Sequence, residues 1–215
     1  MIKLDNRLRA VVDNISGKSL ADIGCDHGKV SCATLLEKRV ERVVASDISA
    51  PSLDKARQLA SQYGLANISF KHCGGFDGYA DGEVDIAVIA GMGGKEILDI
   101  LAHIPKGVEK LVLVAHKDVD KVRTFVTHNG YKLVKDFVVK SGRKFYNILV
   151  AQTGEEELSY HDVMLGKNNL QDEVYKEYIG SEIAKCNKIL KAMGDKKNPK
   201  LEKYLHLLYS EKEMA

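Results

Sequence analysis

Short apolar runs alternate with longer amphipathic stretches through the first two thirds of the chain. The runs have the length of buried strands, and the stretches between them carry apolar residues at helical spacing. The alternation predicts five parallel strands connected largely through helices. The predicted strands are Ser19–Ile23, Val43–Ser46, Ile68–Cys73, Val84–Ala90 and Lys110–Ala115, and the predicted helices are Lys29–Arg39, Pro51–Tyr63, Glu96–His103 and Val119–Asn129.

The alternation ends near Gly130. Leu133–Val139 and Lys144–Ala151 have the pattern of two strands, and Ser141-Gly142 between them favours a hairpin turn. Adding this antiparallel pair gives a mostly parallel, seven-stranded sheet with helices on both faces, an α/β fold. Ligands of such sheets bind at the carboxyl ends of the strands, so we expect the first, second and fourth strand ends to border one crevice.

Residues 154–215 differ in kind, because apolar residues recur there only at helical spacing. Gly194 is placed to end one helix, and Asn198 and Pro199 are placed to start the next. We predict an antiparallel, coiled-coil-like helical hairpin beside a sheet domain of residues 1–153. The apolar stripe is interpreted as core between the helices, with a grip on a partner or on RNA as the alternative.

Composition narrows the class of protein. Of the 215 residues, 45% are apolar and 29% charged, which is typical of a soluble globular chain. No apolar run approaches the roughly 20 residues of a membrane span, and no signal-peptide pattern opens the chain, so we expect a cytoplasmic protein without membrane contact. The four cysteines form no C-x-x-C pair, which predicts reduced thiols and no metal site.

Charge is distributed unevenly around a net value of +2. All seven arginines lie in the first 153 residues, whereas residues 154–215 hold 10 Lys against 12 Asp and Glu. This asymmetry is compatible with nucleic-acid contact by the first domain but too mild to establish it.

The loop after the first predicted strand carries two carboxylates among its glycines. It reads Asp22-x-Gly24-x-Asp26-x-Gly28, whereas a dinucleotide site needs G-x-G-x-x-G so that backbone N–H groups hold a pyrophosphate. Carboxylates repel phosphate, so the ligand is expected to be a cationic nucleoside such as S-adenosylmethionine (SAM). Asp47, at the end of the second strand, suits the two vicinal hydroxyls of a ribose. The small side chain of Cys25 suits the turn rather than catalysis.

Two further loops carry candidate chemistry. Asp77, in G-G-F-D-G after the third strand, is expected to accept a hydrogen bond from the adenine amino group, and the alternative is a turn acid without a ligand. I-A-G-M-G-G at Ile89–Gly94 ends the fourth strand and offers bare backbone to a methyl donor or a flat base. Its alternative is simply a tight strand-to-helix turn.

Together these stretches resemble the bacterial tRNA (adenine-N1)-methyltransferases that modify adenine 22 in the D-loop region. The resemblance covers nearly the whole chain, and the combination of D-I-G-x-D-H with I-A-G-M-G-G is its most specific part. It implies a Rossmann-like SAM-dependent methyltransferase domain, SAM as cofactor, tRNA as partner, and a monomer or weak homodimer. The matching positions are Arg7-Leu8, Asp22–His27, Ala50-Pro51, Asp77-Gly78 and Ile89–Gly94.

The residue pattern and the resemblance together assign roles to three groups of residues. Cofactor contacts are expected from Asp22, Gly24, Asp26, His27, Asp47, Ile48, Asp77, Gly78, Ala90 and Gly91. Catalysis is expected from Asp26, Gly91 and Met92. Substrate contacts are expected from Arg7, Lys29, Gly93, His116 and Lys117, and for His116 and Lys117 the alternative is exposed loop residues without a role. Arg9, Arg123 and Lys144 are further candidates for phosphate contact, and for each of them the alternative is a solvated surface charge.

Asp26 is the first candidate for a catalytic carboxylate. Methylation leaves a cation on the adenine ring, which a nearby carboxylate stabilises and from which it can take an amino proton. The alternative is that Asp26 only binds the amino group of the donor. For His27, a role in holding the loop is favoured over contact with RNA.

Two departures from the family pattern fall on the substrate side. Members usually continue D-H-A-Y-L-P, whereas this chain has Lys29 in place of the aromatic residue, and they tend to show Gln-Pro-Asn where this chain has Ala115-His116-Lys117. These departures leave two alternatives open. One is a related methyltransferase with another RNA or a small-molecule substrate, and the other is a SAM-binding RNA-interaction protein without catalysis.

Overall fold

Seven strands of the computed structural model, which describes residues 2–168, 170–194 and 196–214, form one mixed sheet. The strands are β1 Ser19–Ile23, β2 Arg42–Asp47, β3 Ile68–His72, β4 Ile86–Met92, β5 Lys110–Ala115, β6 Tyr131–Ser141 and β7 Lys144–Thr153. Their order is β3-β2-β1-β4-β5-β7-β6. The first five are parallel and β7 is antiparallel to both its neighbours, so the predicted sheet is confirmed.

Helices cover both faces of the sheet. Their bounds are α1 Asn6–Asp13, α2 Lys29–Leu36, α3 Ala50–Gln62, α4 Gly94–Leu101, α5 Val119–His128, α6 Tyr160–Leu165, α7 Glu173–Met193 and α8 Pro199–Met214. Apolar side chains of α1, α2 and α3 join one core layer with one face of the central strands. Those of α4 and α5 form the other layer. Central strands are therefore buried on both sides, which is why their sequences are continuous apolar runs.

Side-chain caps fix where several helices begin. The carboxylate of Asp5 accepts the backbone N–H of Leu8 at the start of α1, and Asp172 caps α7 in the same way. The hydroxyl of Ser49 accepts a backbone N–H at the start of α3. Because these caps satisfy helix-end donors, the chain enters each helix at a defined residue.

Several element boundaries differ from the sequence predictions by one to three residues. The second helix ends at Leu36 rather than at Arg39, because Lys38 takes a left-handed backbone conformation with φ 53°. The fourth strand runs on to Met92, through a bulge between Ala90 and Met92. The short helix α6 was not predicted.

The predicted helical hairpin is present as α7 and α8. Val138 of β6 belongs to the same buried cluster as Tyr175 and Ile179 of α7 and Leu208 of α8. The apolar stripe is therefore largely core, although Ile189 is 49% exposed. No helix in the described ranges has the length and apolar content to cross a membrane.

Candidate active site

The carboxyl ends of β1, β2 and β4 open into a cavity of about 790 Å³. It lies where the strand order reverses around β1, which is the usual ligand position in parallel α/β sheets. Eleven of the predicted site residues line it, namely Arg7, Asp22, Gly24, Asp26, His27, Lys29, Asp47, Ile48, Ala90, Gly91 and Met92. The sequence therefore identified about half of the residues that line the cavity.

The loop between β1 and α2 forms the floor of the cavity. The backbone N–H groups of Gly24 and Cys25 both donate to the carbonyl of Ser46, which ties the loop to β2. Gly28 has φ 67°, and a Cβ atom there would lie only 2.8 Å from the Cβ of Ala56. A glycine is required at this position because α3 packs directly against the turn.

Asp47 is held by two backbone donors. Its Oδ2 accepts the N–H of Asp26 at 3.0 Å, and its Oδ1 accepts the N–H of Ser49 at 2.8 Å. Each carboxylate oxygen has further acceptor capacity, so the group is fixed in direction and still able to take two hydroxyl donors. Its geometry therefore suits a pair of vicinal hydroxyls.

Asp22 is a buried carboxylate in the cavity wall, 5% exposed. Its Oδ2 accepts both the hydroxyl and the backbone N–H of Ser31, which connects β1 to the first turn of α2. Burial raises the pKa of Asp22 to about 6, the Ser31 bonds lower it in part, and the charge of Asp47 raises it. With a pKa of about 6, Asp22 is largely ionised at pH 7 and takes up a proton as the pH falls below about 6.

SAM binding is expected to strengthen as pH rises through about 6. A cationic ligand lowers the pKa of Asp22, so the complex binds fewer protons than the free protein, and affinity gains as pH increases. Between pH 7 and pH 5 the Kd should rise about tenfold. Calorimetry across this range would measure it, and the Asp22→Asn variant should lose this dependence. An equal pH dependence in that variant would contradict the role of Asp22.

The far end of the cavity has an apolar face and an acid beside it. The side chain of Ile48 is 77% exposed and lines the cavity. Gly74 lies between this side chain and Asp77, because a Cβ on Gly74 would stand 3.6 Å from Ile48 Cγ2 and 3.7 Å from Asp77 Oδ2. An exposed methyl surface next to a carboxylate is suited to the face and the amino group of a purine.

The I-A-G-M-G-G segment forms the opposite wall. Gly91 lies in the bulge of β4 with φ 104°, a conformation that favours glycine, and it turns its backbone into the cavity. The Met92 side chain lies against Gly24. Gly94 serves packing instead, since a Cβ there would lie 2.6 Å from the carbonyl oxygen of Lys117.

Asp26 and His27 lie at the mouth of the cavity. The Asp26 side chain is 73% exposed, and its Oδ1 is 3.5 Å from Nε2 of His27. That same ring nitrogen lies 3.2 Å from Nζ of Lys55, so an ammonium of α3 helps to hold the imidazole. Asp26 is therefore a solvent-exposed carboxylate at the edge of the cavity.

Five predicted site residues lie outside the cavity lining, namely Asp77, Gly78, Gly93, His116 and Lys117. Gly93 precedes α4 as its N-cap, and its N–H donates to the carboxylate of Glu96. His116 and Lys117 line a separate cleft of about 380 Å³ that α5, β7 and the helical hairpin also border. His116 still reaches the cavity wall, since its Nε2 would be 3.9 Å from a Cβ on Gly91.

One predicted phosphate contact is wrong. Arg123 is 1% exposed and forms a buried ion pair with Asp136, with Nε 2.7 Å from Oδ2. Arg9, also predicted, is engaged by the carboxylates of Glu37 and Asp13. Neither the pattern of charge nor its spacing distinguishes a buried arginine from a surface one.

Three acidic residues of the cavity were not predicted from the sequence. Glu96 and Asp99 lie on one face of α4 at a spacing of three residues, and both line the cavity together with Asp5. Their spacing after the glycine segment was a usable signal. Burial raises the pKa of the Cys25 thiol far above its usual range, in keeping with a structural role for this cysteine.

The acidic lining together with Ile48 and Asp47 fits the adenosine and the positive charges of SAM. In the ranges 2–168, 170–194 and 196–214, no group of three or more His, Cys, Asp or Glu side chains is placed to hold a metal ion.

Comparison with known proteins gives the family of the chain. A family described as "Methyltransferase domain" matches residues 4–149. The tRNA (adenine(22)-N(1))-methyltransferase of Bacillus subtilis is 31% identical over 174 residues, which cover 79% of this chain and 73% of that protein. The chain belongs to the tRNA (adenine(22)-N(1))-methyltransferase family.

Solved structures agree in fold. Sp1610 of Streptococcus pneumoniae, in complex with S-adenosyl-L-methionine, has a TM-score of 0.86 at 23% identity and covers 99% of this chain and 100% of its own. TrmK of M. capricolum, in complex with S-adenosyl-homocysteine, has a TM-score of 0.79 at 21% identity and covers 97% and 94%. The likeness extends over the helical hairpin as well as the sheet.

Proposed function

We propose that this protein transfers a methyl group from SAM to N1 of an adenine in tRNA, at position 22. The observation that carries the proposal is the acid-lined cavity at the ends of β1, β2 and β4, with the bulged Gly91 in its wall. Its membership of the tRNA (adenine(22)-N(1))-methyltransferase family supports the choice of nucleotide.

Asp47, Ile48 and Asp77 would hold the adenosine part of SAM. Asp47 would take the ribose hydroxyls, the exposed side chain of Ile48 would cover the adenine, and Asp77 would accept its amino group. The Asp22 and Gly24 region would receive the methionine part, where the buried acid favours a cation. The turn at Gly78 and the strand end at Ala90 complete the proposed cofactor wall.

When bound, SAM supplies an electrophilic methyl group on a sulfonium. The protein's task is to align the acceptor, because an in-line displacement needs the reacting atoms about 3–3.5 Å apart. N1 of adenine donates its lone pair to the methyl carbon while the carbon–sulfur bond breaks, and the sulfur keeps that electron pair. The bare backbone at Gly91 and the side chain of Met92 would form the surface on which the acceptor base lies.

Asp26 is the proposed catalytic carboxylate. Transfer moves positive charge from sulfur onto the adenine ring, and a carboxylate at the cavity mouth stabilises that charge and can accept a proton from the adjacent amino group. Its exposure of 73% leaves it free to meet the base. The alternative role, binding the amino group of the donor, predicts a different outcome on substitution.

Replacing Asp26 by asparagine is expected to lower kcat by about a hundredfold or more, with little change in the Kd for SAM. Asparagine tolerates the left-handed backbone of this residue (φ 49°), so the loop should keep its shape. Single-turnover rates and calorimetry would measure the two quantities separately. A raised Kd with an unchanged rate at saturating SAM would instead support binding of the donor amino group.

Incubation with labelled SAM and bulk tRNA tests the function as a whole. N1-methyladenosine at position 22 would support the proposal, and a different methylated product would support a related enzyme with another substrate. Tight SAM binding without any product would support an RNA-interaction protein. A related enzyme with another substrate is considered because this chain departs from the family pattern at Lys29 and at Ala115-His116-Lys117.

The proposed substrate would place the enzyme with tRNA in the cytoplasm, as a monomer or weak homodimer. Lys29 is exposed at the cavity rim, and Lys117 lines the neighbouring cleft, so both are proposed as contacts to the tRNA backbone, with Gly93 beside them. Phosphate contacts supply affinity without reading the base.

A further inference from the structure

Arg7 is an arginine without a carboxylate partner at the wall of an acidic cavity. Within the described ranges no carboxylate oxygen lies within 4 Å of its guanidinium, in contrast to Arg9 two residues later. Its Nε is buried and, like Nε of Arg9, has no hydrogen-bond partner there. A buried donor of this kind is costly unless a ligand satisfies it.

The ring of Tyr146 holds Arg7 and His116 together. The Arg7 guanidinium carbon lies 5.3 Å from the ring centroid of Tyr146, and the His116 ring contacts the same tyrosine edge-on at a centroid distance of 5.8 Å. Tyr146 is next to Asn147, which pairs with Ala115 across β7 and β5. One aromatic ring therefore positions a side chain from α1 and another from the end of β5.

The polar ends of the Arg7 and His116 side chains converge on Gly91. A Cβ on Gly91 would stand 3.5 Å from Nη1 of Arg7 and 3.9 Å from Nε2 of His116. A planar guanidinium and an imidazole N–H that meet at one point form a donor set for an oxyanion. Asp5, before α1, and Glu96 and Asp99, on α4, line the same cavity. None of their carboxylate oxygens lies within 4.0 Å of the Arg7 guanidinium, so the polar atoms of Arg7 and His116 stay available to a ligand.

We propose that Arg7 and His116, positioned by Tyr146, form an oxyanion site beside Gly91. The inference rests on the proposed function. It adds the kind of ligand group, an oxyanion, that binds beside Gly91. Two sources can supply the oxyanion, namely the carboxylate of SAM and a phosphate of the tRNA strand next to the target adenine. Either would anchor its ligand within reach of the methyl-transfer position.

Three variants test the site in the full-length protein. Arg7→Met removes the charged donor and keeps an unbranched apolar stem, and His116→Gln removes the imidazole. Arg57→Met is the matched control, because Arg57 is exposed on α3 and makes a similar contact, 4.7 Å from the Phe70 ring centroid, outside the cavity lining. Circular dichroism and thermal melting would show that each variant is folded.

Calorimetry with two probes distinguishes the sources. S-adenosylhomocysteine carries the α-carboxylate, whereas 5′-methylthioadenosine lacks the amino-acid part. If the oxyanion is the carboxylate, Arg7→Met should weaken S-adenosylhomocysteine by at least about tenfold and leave methylthioadenosine unchanged. If it is a phosphate, both probes should bind normally, the KM for tRNA should rise by at least about tenfold, and the salt slope of kcat/KM should fall by about one.

His116→Gln is expected to change the same quantity as Arg7→Met, either the affinity for S-adenosylhomocysteine or the KM for tRNA, by a smaller factor. Tyr146→Leu should reproduce part of the loss seen with Arg7→Met, and Tyr146→Phe should restore it, because the ring rather than the hydroxyl positions Arg7. The inference is overturned if Arg7→Met and Arg57→Met bind both probes with the same affinity and have the same KM for tRNA. A wild-type protein that binds no S-adenosylhomocysteine would overturn the proposed function itself, and the inference with it.

Discussion

Replacing Asp47 by alanine is expected to raise the Kd for SAM by about a hundredfold or more. The two charge-assisted hydrogen bonds proposed between Asp47 and the ribose hydroxyls would be lost, each contributing about 1.5–3 kcal/mol. The backbone N–H groups of Asp26 and Ser49 also lose their acceptor, so the cofactor loop is no longer tied to the end of β2. Calorimetric titration with SAM would measure the change.

Two further variants sharpen this experiment. Asp47→Asn retains one carbonyl acceptor and should give an intermediate Kd. Asp54→Ala removes an equal charge from an exposed position of α3 outside the cavity lining and should leave the Kd unchanged. A Kd for Asp47→Ala within a few-fold of the Asp54→Ala value would exclude Asp47 as the ribose ligand.

Replacing Arg123 by alanine is expected to lower the free energy of unfolding by about 3–5 kcal/mol. The guanidinium makes two hydrogen bonds to Asp136, and a third nitrogen–oxygen contact of 3.2 Å joins it to Asn147. It also donates to the backbone carbonyls of Val163 and Met164 in α6. Its loss leaves the Asp136 carboxylate buried and unpaired, and burial already raises the pKa of that group.

Urea unfolding would measure this destabilisation. Arg143→Ala, at the exposed β6–β7 turn, is the matched control and should change stability little. A double variant, Arg123→Met with Asp136→Leu, should recover much of the loss, because no charge then remains buried. A change below about 1 kcal/mol for Arg123→Ala would show that the buried pair does not hold α6 to the sheet.

Local sequence patterns predicted the sheet and most helices correctly. The apolar runs at Val84–Ala90 and Lys110–Ala115 became central strands because a strand covered on both faces has no polar side. The Asp22–Gly28 loop and Asp47 were also correctly placed together, since parallel strands end at the same edge of a sheet. Their contact with a cofactor stays a prediction.

The interpretation of Arg123 failed for a definable reason. Its partners Asp136, Asn147 and Met164 are 13, 24 and 41 residues away, and no local pattern records such contacts. The short helix α6 escaped prediction for the same reason, because it is anchored by these contacts as well as by its own Ser159 cap. The need for glycine at position 166 also follows from these contacts, because a Cβ there would lie 2.6 Å from the Arg123 guanidinium.

By itself, the sequence determined the order of strands and helices, the acid-bearing cofactor loop and the family to which the chain belongs. These features depend on short-range periodicity and on residues close together in the chain. Tertiary structure alone decided which charges are buried and that Tyr146 places Arg7 and His116 beside Gly91. The physical reason is that burial and pairing of charge depend on contacts between elements far apart in sequence, which folding brings together.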